Sequence, residues 1–536
     1  MARGRTIMIV SGITVLVAGA AGGGAYWLLH TRGSPTETAQ RFAAAWERGD
    51  TTAMSAQLAA PQALTAYEQM RTGLGVESTK VRLGRATETD GRASVPYTAT
   101  LTLKNLGSWT YQGDLDLAVT DRTWKVAWTP AALHPSLTSG TTFTLRTRWP
   151  ERAAITDAEG DRIDTGTAGG SVQQLVGYLD KATKKDVARL GSAYRPGQAI
   201  GRGGLQETFQ KRLAGTPTTE IQSGGKTLHR IKGATGEPVR TTLDPEVQAA
   251  AVAAVKDVDK PASLVAIEPG SGEILAVVNN RGGFNRALDG RYAPGSTFKA
   301  VTAIGLLADG MSPRDTVTCP KYATVGGLRI RNSERAEFGS LSFLDSFAHS
   351  CNTTFAPLAQ QRLGAAKLLE TAEQVGFNQP LSIGVPATKA SLPRATSDAE
   401  LAAESFGQAK ITASPLSMAS VAAAIADGTW RPPTLVPGLE QKAAERPLPD
   451  GVKDDLHAMM AAVVTKGTAK AAGLPAGTRG KTGTAEYGSG EKLDSHAWFM
   501  GFRGDVAFAV VVEGGGGGGK VAAPIAADFL RGLPAT

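Results

Sequence analysis

The 536-residue chain has little of several things: two cysteines, six histidines and 6% aromatic residues. The histidines are dispersed, and no His-x-x-x-His or Cys-x-x-Cys spacing occurs. That excludes the usual protein metal sites, and nothing in the sequence asks for a cofactor. No basic tract is interleaved with aromatics, so the net charge of +8 does not read as a nucleic-acid surface. Scattered charge of this kind is ordinary solvated surface, and a mild positive balance suits work beside an anionic one. Cys319 and Cys351 can pair in an oxidising compartment or stand as two buried free thiols; the sequence alone does not decide the geometry. The run Gly514–Gly519 has no Lys-Ser/Thr in the following frame, which excludes a phosphate loop. It reads as a flexible turn between the last strand and the final helix.

Charge is wholly absent from residues 7–29, "IMIVSGITVLVAGAAGGGAYWLL". As a helix this stretch spans roughly 35 Å, enough to cross a bilayer core. Arg3 and Arg5 on the short leading side favour a cytoplasmic N-terminus, and Tyr26 and Trp27 stand where interfacial aromatics belong. The reading is an uncleaved single-pass anchor in the cytoplasmic membrane with everything after residue 32 exported. A cleaved signal peptide is the alternative, because "AGA" and "GGA" resemble small-residue cleavage sites. No cysteine follows closely enough for a lipid anchor.

What is present then reads as several domains, since roughly 100–200 residues make one. "PTETAQRFAAAWERGDTTAMSAQL" has apolar residues at helical spacing with a turn at Gly49-Asp50,. From about 79 to 147 the pattern becomes alternation, the signature of a curled antiparallel sheet with a turn at 89–91. Residues 164–235 are rich in Gly, Thr and Lys, with one or two helical pieces and no paired carboxylates, and read as an elongated connecting domain. From Val239 the texture changes again. Asp244 and Pro245 start a helix, and "SLVAIEPGSGEILAVVN" reads as a hairpin about 269–272. Alanine-rich helical stretches run from 296 to about 426, and strands return in "HAWFMGFRG" and "VAFAVVVEG" before a last helix, "APIAADFLRGL". Strands at both ends with helices between make one mixed domain with an antiparallel sheet closed by the two ends of the segment.

Three short motifs carry chemistry. Ser-x-x-Lys occurs at Ser223, Ser296 and Ser489, but only "PGSTFKAVTAIGLLA" continues as a helix. There Lys299 shares a face with Ser296, and the helix start points free N–H groups at the serine. Beside Phe298 and Val301, Lys299 is partly desolvated and can serve as a base. The plainer reading is a serine that merely caps its helix. Ser350-x-Asn352 is the only Ser-x-Asn and Lys481-Thr482-Gly483-Thr484 the only Lys-Thr-Gly; they follow Ser296 by 54 and a further 131 residues.

In this order the three motifs resemble the penicillin-binding transpeptidases and serine β-lactamases over residues 236–536. "TRWPERAAITDAEGDRI" is similar to the non-catalytic region of class B penicillin-binding proteins, and 34–140 resembles the NTF2-like domains at the front of some cell-wall enzymes. The expected organisation is therefore multidomain α+β: tip and transmembrane anchor 1–33, NTF2-like domain 34–140, linker 141–235, transpeptidase domain 236–536.

The resemblance implies a peptidoglycan D,D-transpeptidase that β-lactams acylate. Ser296 is the implied nucleophile and Lys299 its base, with Ser350 and Lys481 relaying the proton to the leaving amine. Asn352 would hold a substrate amide, and Lys481, Thr482 and Thr484 a terminal carboxylate. Gly483 would leave room for an extended peptide beside an edge strand. Backbone N–H groups of Ser296 and Thr484 would form the oxyanion hole. "ESFGQAK" resembles the Ser-Phe-Gly-Gln segment of these enzymes, with Gly407 and Gln408 lining the cleft. In the stretch after Lys-Thr-Gly, Trp498 and Phe499 are expected in the core and His496 as a packing residue. Stem peptides, β-lactams and the cytoplasmic membrane are the implied partners. Residues 35–235 lack the length and acidic motif of a glycosyltransferase, so a membrane glycosyltransferase is implied too. The alternatives are a D,D-carboxypeptidase or β-lactamase-type hydrolase, and a β-lactam sensor. The spacer and "SFGQ" speak against the hydrolase, and about six residues before the anchor speak against the sensor.

Overall fold

The computed structural model describes residues 31–191, 193–488 and 493–534. The apolar stretch 7–29 and Ser489 lie outside the described residues. Among those described, no helix is long and apolar enough to cross a membrane. The chain folds as two units, one built from residues up to Arg152 with Ala182–Gly197 and Ala214–Gly236, the other from Ala153–Lys181, Gln198–Leu213 and Glu237 onward.

In the first unit, Ser34 caps α1 (Pro35–Arg48) by accepting from the Glu37 amide, and Gly49 ends it in a left-handed conformation. Asp50 caps α2 (Thr51–Ala56) in the same way. A third helix, α3 (Thr65–Leu74), was not legible in the sequence. Strands β1 (Val76–Leu83), β2 (Thr87–Thr89), β3 (Arg92–Leu103), β4 (Gly107–Thr120) and β5 (Thr123–Val126) form an antiparallel sheet in the order β1-β3-β4-β5, with β2 on β3. Alternate residues of β3 and β4 are buried and pack with Phe42 and Trp46 of α1 in one core. Strand β6 (Phe143–Arg148) joins the hairpin 218–231. The stretch 164–235 holds four short helices, Gly170–Val176, Lys184–Leu190, Gly204–Thr208 and Gln210–Ala214, more than its composition implied.

In the second unit, the stretch from Glu237 onward opens its helices with α4 (Pro245–Val255), capped by Asp244 through the Glu246 and Val247 amides. Hairpin β7 (Ala262–Ile267) and β8 (Ile274–Asn279) follows. Next come α5 (Lys299–Ala308), strands β9 (Thr316–Cys319), β10 (Tyr322–Val325), β11 (Leu328–Arg331) and β12 (Gly339–Ser342), and helices α6 (Phe343–Ala348) and α7 (Asn352–Leu358). The helical expectation for 296–426 thus missed two strand pairs, β9 with β12 and β10 with β11. The Val, Ile, Thr and Tyr residues of β9, β10 and β11 favour strands, but each of the four strands is only four residues long, too short to give a period. Helices α8 (Asp398–Glu404), α9 (Pro415–Asp427) and α10 (Val452–Thr465) precede the closing strands β13 (Arg479–Tyr487), β14 (Asp494–Arg503) and β15 (Val506–Val512), and α11 (Ala522–Gly532) ends the unit.

The main sheet runs β8-β7-β15-β14-β13, every pair antiparallel. Every residue of β7 is buried, so helices must cover both faces. α4 and α11 pack together against it, and α9 packs on β15 and β7. Both ends of the segment meet in this sheet, as the sequence predicts, and β13 is left at its edge.

Candidate active site

Ser296 stands on a turn of 3-10 helix, Gly295–Phe298, that runs into α5. In such a turn residues i and i+3 eclipse, and Lys299 Nζ lies 2.8 Å from Ser296 Oγ. Neither start carries a side-chain cap, so the serine hydroxyl is not used for capping. Gly295 begins the turn with φ 54°, and a Cβ on it would lie 2.7 Å from Thr484 O. Its amide donates to Gly407 O at 2.9 Å. A Cβ on Gly407 would fall 2.0 Å from Gly295 O. The Ser-Phe-Gly-Gln segment is therefore the seat of the serine turn, and Gln408 follows it half-buried.

Ser350 and Asn352 occupy the corner between α6 and α7. Ser350 has φ 62°, a strained conformation for a residue with a Cβ. Between them Cys351 begins α7 without a side-chain cap. It is disulfide-bonded to Cys319 at the end of β9, which answers the question the sequence left open and ties the corner covalently to a strand.

Lys299 is fully buried. Its Nζ donates to Ser350 O at 2.9 Å and to Asn352 Oδ1 at 2.5 Å, and is 3.1 Å from Ser350 Oγ. The rings of Phe355 and Phe406 lie 5.9 and 6.0 Å away. Burial, and then the charge of Lys481, push its pKa well below the usual lysine value. In its neutral form the amine would have two N–H bonds for these two carbonyl oxygens and a lone pair left for the Ser296 hydroxyl proton. Lys481, also fully buried, has Nζ 2.9 Å from Ser350 Oγ and 3.0 Å from Thr482 O, with the Phe347 ring at 5.5 Å. Burial lowers its pKa to about 7. Ser350 Oγ thus bridges two lysines whose ammonium forms the site disfavours.

Lys481 through Thr484 lie on β13, which among the described residues pairs only with β14. Thr482 Oγ1 is 2.6 Å from Thr468 Oγ1, and Thr484 Oγ1 accepts from the Gly518 amide at 3.3 Å. One expectation changes here. Gly483 also admits the serine turn, since a Cβ there would lie 2.9 Å from Pro294 O and from Thr297 Cγ2. Gly514–Gly519, however, is not a free turn. A Cβ on Gly518 would lie 2.2 Å from Gly483 O and 2.3 Å from Trp498 O, and one on Gly519 2.3 Å from Thr468 O. The run is a strut packed on β13 and β14. Composition alone could not distinguish the two, because glycine serves close backbone approach as well as flexibility.

Trp498 and Phe499 are fully buried. His496 packs face to face with Tyr487 at 4.2 Å and edge-on to Tyr292 at 5.0 Å. The structure therefore brings Ser296, Lys299, Ser350, Asn352 and Lys481 into one hydrogen-bonded cluster, with Thr482, Gly483 and Thr484 alongside and Gly407 beneath. The rings of Phe347, Phe355 and Phe406, which set the polarity around the lysines, gave no signal in the sequence beyond being apolar. No group of acidic, histidine or cysteine side chains arranged to hold a metal occurs among the described residues.

A family model described as the penicillin binding protein transpeptidase domain matches residues 262–531. A second, described as the NTF2-like N-terminal transpeptidase domain, matches residues 34–141. The chain is 30% identical over 376 residues to the peptidoglycan D,D-transpeptidase PbpA of Mycolicibacterium smegmatis, covering 60% of this chain and 73% of that protein. It is 25% identical over 414 residues to the peptidoglycan D,D-transpeptidase MrdA of Acinetobacter baumannii, covering 63% and 61%. Among solved structures, PBP2 of Pseudomonas aeruginosa in complex with WCK 5153 shares the fold, with a TM-score of 0.63 at 24% identity over 72% of this chain and 96% of that one.

Proposed function

Because the chain belongs to the penicillin-binding protein transpeptidase family, we propose that Ser296 is its nucleophile and Lys299 the base. The enzyme is a serine-type D-Ala–D-Ala transpeptidase of peptidoglycan. In our reading Ser296 Oγ attacks the carbonyl of the penultimate D-alanine while its proton passes to Lys299. The tetrahedral oxyanion sits between the amides of Ser296 and Thr484. Ser350, with Lys481 behind it, hands the proton to the departing D-alanine amine. An amine of a second stem peptide then attacks the ester, its proton returning by the same route, and Ser296 is restored. Asn352 holds a substrate amide, and Thr482, Thr484 and the charge of Lys481 receive the terminal carboxylate. Gly407 and Gly483 act through the serine turn, and Gln408 lines the cleft.

The observation that carries this reading is the meeting of all three motifs at Ser350 Oγ, 3.1 Å from Lys299 Nζ and 2.9 Å from Lys481 Nζ. The test is labelling with fluorescent penicillin. Ser296→Ala should lose the label, whereas Ser223→Ala and Ser489→Ala should keep it. A labelled Ser296→Ala protein would refute the assignment.

We also read residues 7–29 as a single-pass anchor, supported by their length and lack of charge, with the N-terminus in the cytoplasm and the catalytic domain, 236–536, outside. Residues 34–140 form the NTF2-like domain, 141–235 the connecting domain, and a membrane glycosyltransferase supplies the glycan strands. Fractionation of the full chain into washed membranes, and its release when 1–30 are deleted, tests the anchor. Pull-down of the anchored protein without any membrane polymerase would count against the partner.

A further inference from the structure

A cavity of about 690 Å³ opens beside β8, at the edge of the main sheet opposite β13. Its walls are α4, the end of β8 and parts of 157–174, all within the second unit. The volume is that of one small-molecule ligand.

The apolar wall starts from the sequence of α4, "PEVQAAAVAAV". Val247, Ala250 and Ala251 are buried. Ala249, Val252 and Ala253 line the cavity at i, i+3 and i+4, and Lys256 follows at i+7. A helix that faced water across this stripe would be polar there, yet Val252 is 40% exposed. Ile163, Val172 and Leu243 complete the apolar lining. From Ala249 to Lys256 the stripe runs about 10 Å along the helix.

No peptide strand can add to β8 here. The outward amide and carbonyl of Val277 are held by Gln248 Oε1 at 2.9 Å and Nε2 at 3.1 Å. Both of those groups on Asn279 are held by Ser171 Oγ at 3.0 Å. Strand addition needs such groups free. The side-chain acceptors in the wall are engaged as well. Asn279 Oδ1 accepts from Ser263 Oγ and the Ala287 amide, and Asn280 Oδ1 from the Ala262 amide. Asp157, the one acid in the wall, accepts through Oδ1 from the amides of Glu159, Gly160 and Asp161. The uncompensated groups are donors. Gln174 accepts from Asn279 Nδ2 through Oε1 at 2.9 Å, which leaves its amide nitrogen to donate. Arg281 gives one of its five N–H groups to Asp259 O at 2.8 Å,. Lys256 meets Asp257 at 3.9 Å with both side chains exposed, a pair worth little.

We propose that this cavity binds one single-chain anionic amphiphile, with its alkyl chain along the α4 stripe and its carboxylate or phosphate head at Lys256 and Arg281. The chain covers the apolar stripe, and the head supplies the acceptors that the walls lack. The site stands apart from the acylation chemistry and does not depend on the transpeptidase reading.

The test uses the full chain in phosphatidylcholine discs and a dodecanoate probe with a diazirine in its chain. After irradiation, mass spectrometry should map the cross-link to 163–174 or 243–256. Unlabelled dodecanoate should compete, and dodecyltrimethylammonium should need about tenfold more. Ala249→Trp, at an exposed helix position, fills the cavity and should abolish the cross-link at an unchanged Tm. Joint Lys256→Met and Arg281→Met substitution should cut labelling about three- to tenfold, the scale of two exposed ion pairs. That variant carries the test if the tryptophan variant melts lower. Exchange of the disc lipid for phosphatidylglycerol should change nothing. Loss of the cross-link there would give the cavity to a bilayer lipid and overturn the single-chain occupant. A cross-link mapped elsewhere, equal competition by the cation, or wild-type labelling of the double variant overturns the proposal.

Discussion

Replacing Gly518 by alanine tests whether the glycine run is a strut or a loose turn. The new Cβ would stand 2.2 Å from Gly483 O and 2.3 Å from Trp498 O, both backbone atoms that no rotamer change can move. Relief needs a shift of about 1 Å or more in the run or in β13. Overpacking of this kind costs about 1–3 kcal/mol, which lowers Tm by several degrees in a domain of this size. Because the Gly518 amide also holds Thr484 Oγ1, the same shift moves the strand that positions the acyl group. A displacement near 1 Å costs up to roughly a hundredfold in rate. The acylation rate with fluorescent penicillin should therefore fall about ten- to a hundredfold, measured beside a thermal melt. Gly517 is the internal control, since a Cβ there meets nothing within 4 Å. Gly517→Ala should be neutral or stabilise by about 0.4–1 kcal/mol through the unfolded chain. If Gly518→Ala acylates and melts like the wild type, or Gly517→Ala is equally damaging, the strut reading is wrong.

Burial holds Lys481 near a pKa of about 7, so its charge is present below that pH and lost above it. KM for carboxylate-ended peptides should rise as pH passes upward through about 7; a flat KM from pH 6 to 9 refutes this. Lys481→Met should abolish acylation yet raise Tm at neutral pH, because it removes a buried lysine that resists its charge; an unchanged or lower Tm would contradict that account. Cys319 and Cys351 close a loop across a separation of 32 residues, worth about 3–4 kcal/mol in the chain-entropy account. The double alanine variant should melt correspondingly lower and acylate about tenfold more slowly, since Ser350 and Asn352 flank the lost bond, and wild-type acylation in that variant would dissociate the bond from catalysis.

The nucleophile was legible because Ser296 alone, of three serines with a lysine three places on, precedes an apolar helix. The start of α4 was legible because Asp244 acts locally on amides two or three residues away. The hairpin of β7 and β8 was readable for the same reason. What stayed hidden depends on residues far apart in the chain. Phe355 and Phe406 reach Lys299 only once α7 and the segment after α8 have packed against α5, and nothing local marks them. Gly483 and Gly518 are explained by backbone from elsewhere, Pro294 in one case and Gly483 itself in the other. The pairs β9–β12 and β10–β11 have too few residues each to reveal a period, and α3 carries no capping side chain at its start.

The cystine that steadies the catalytic corner has an outcome for the enzyme's survival in a protease-rich setting. The exposed tip of the β10–β11 hairpin, at Gly326 and Gly327, lies inside the ring that Cys319 and Cys351 close. A single cut at that tip would leave both fragments covalently joined, running as one species on a non-reducing gel and as two after reduction. Scission at this tip would then nick the molecule without releasing either half of it.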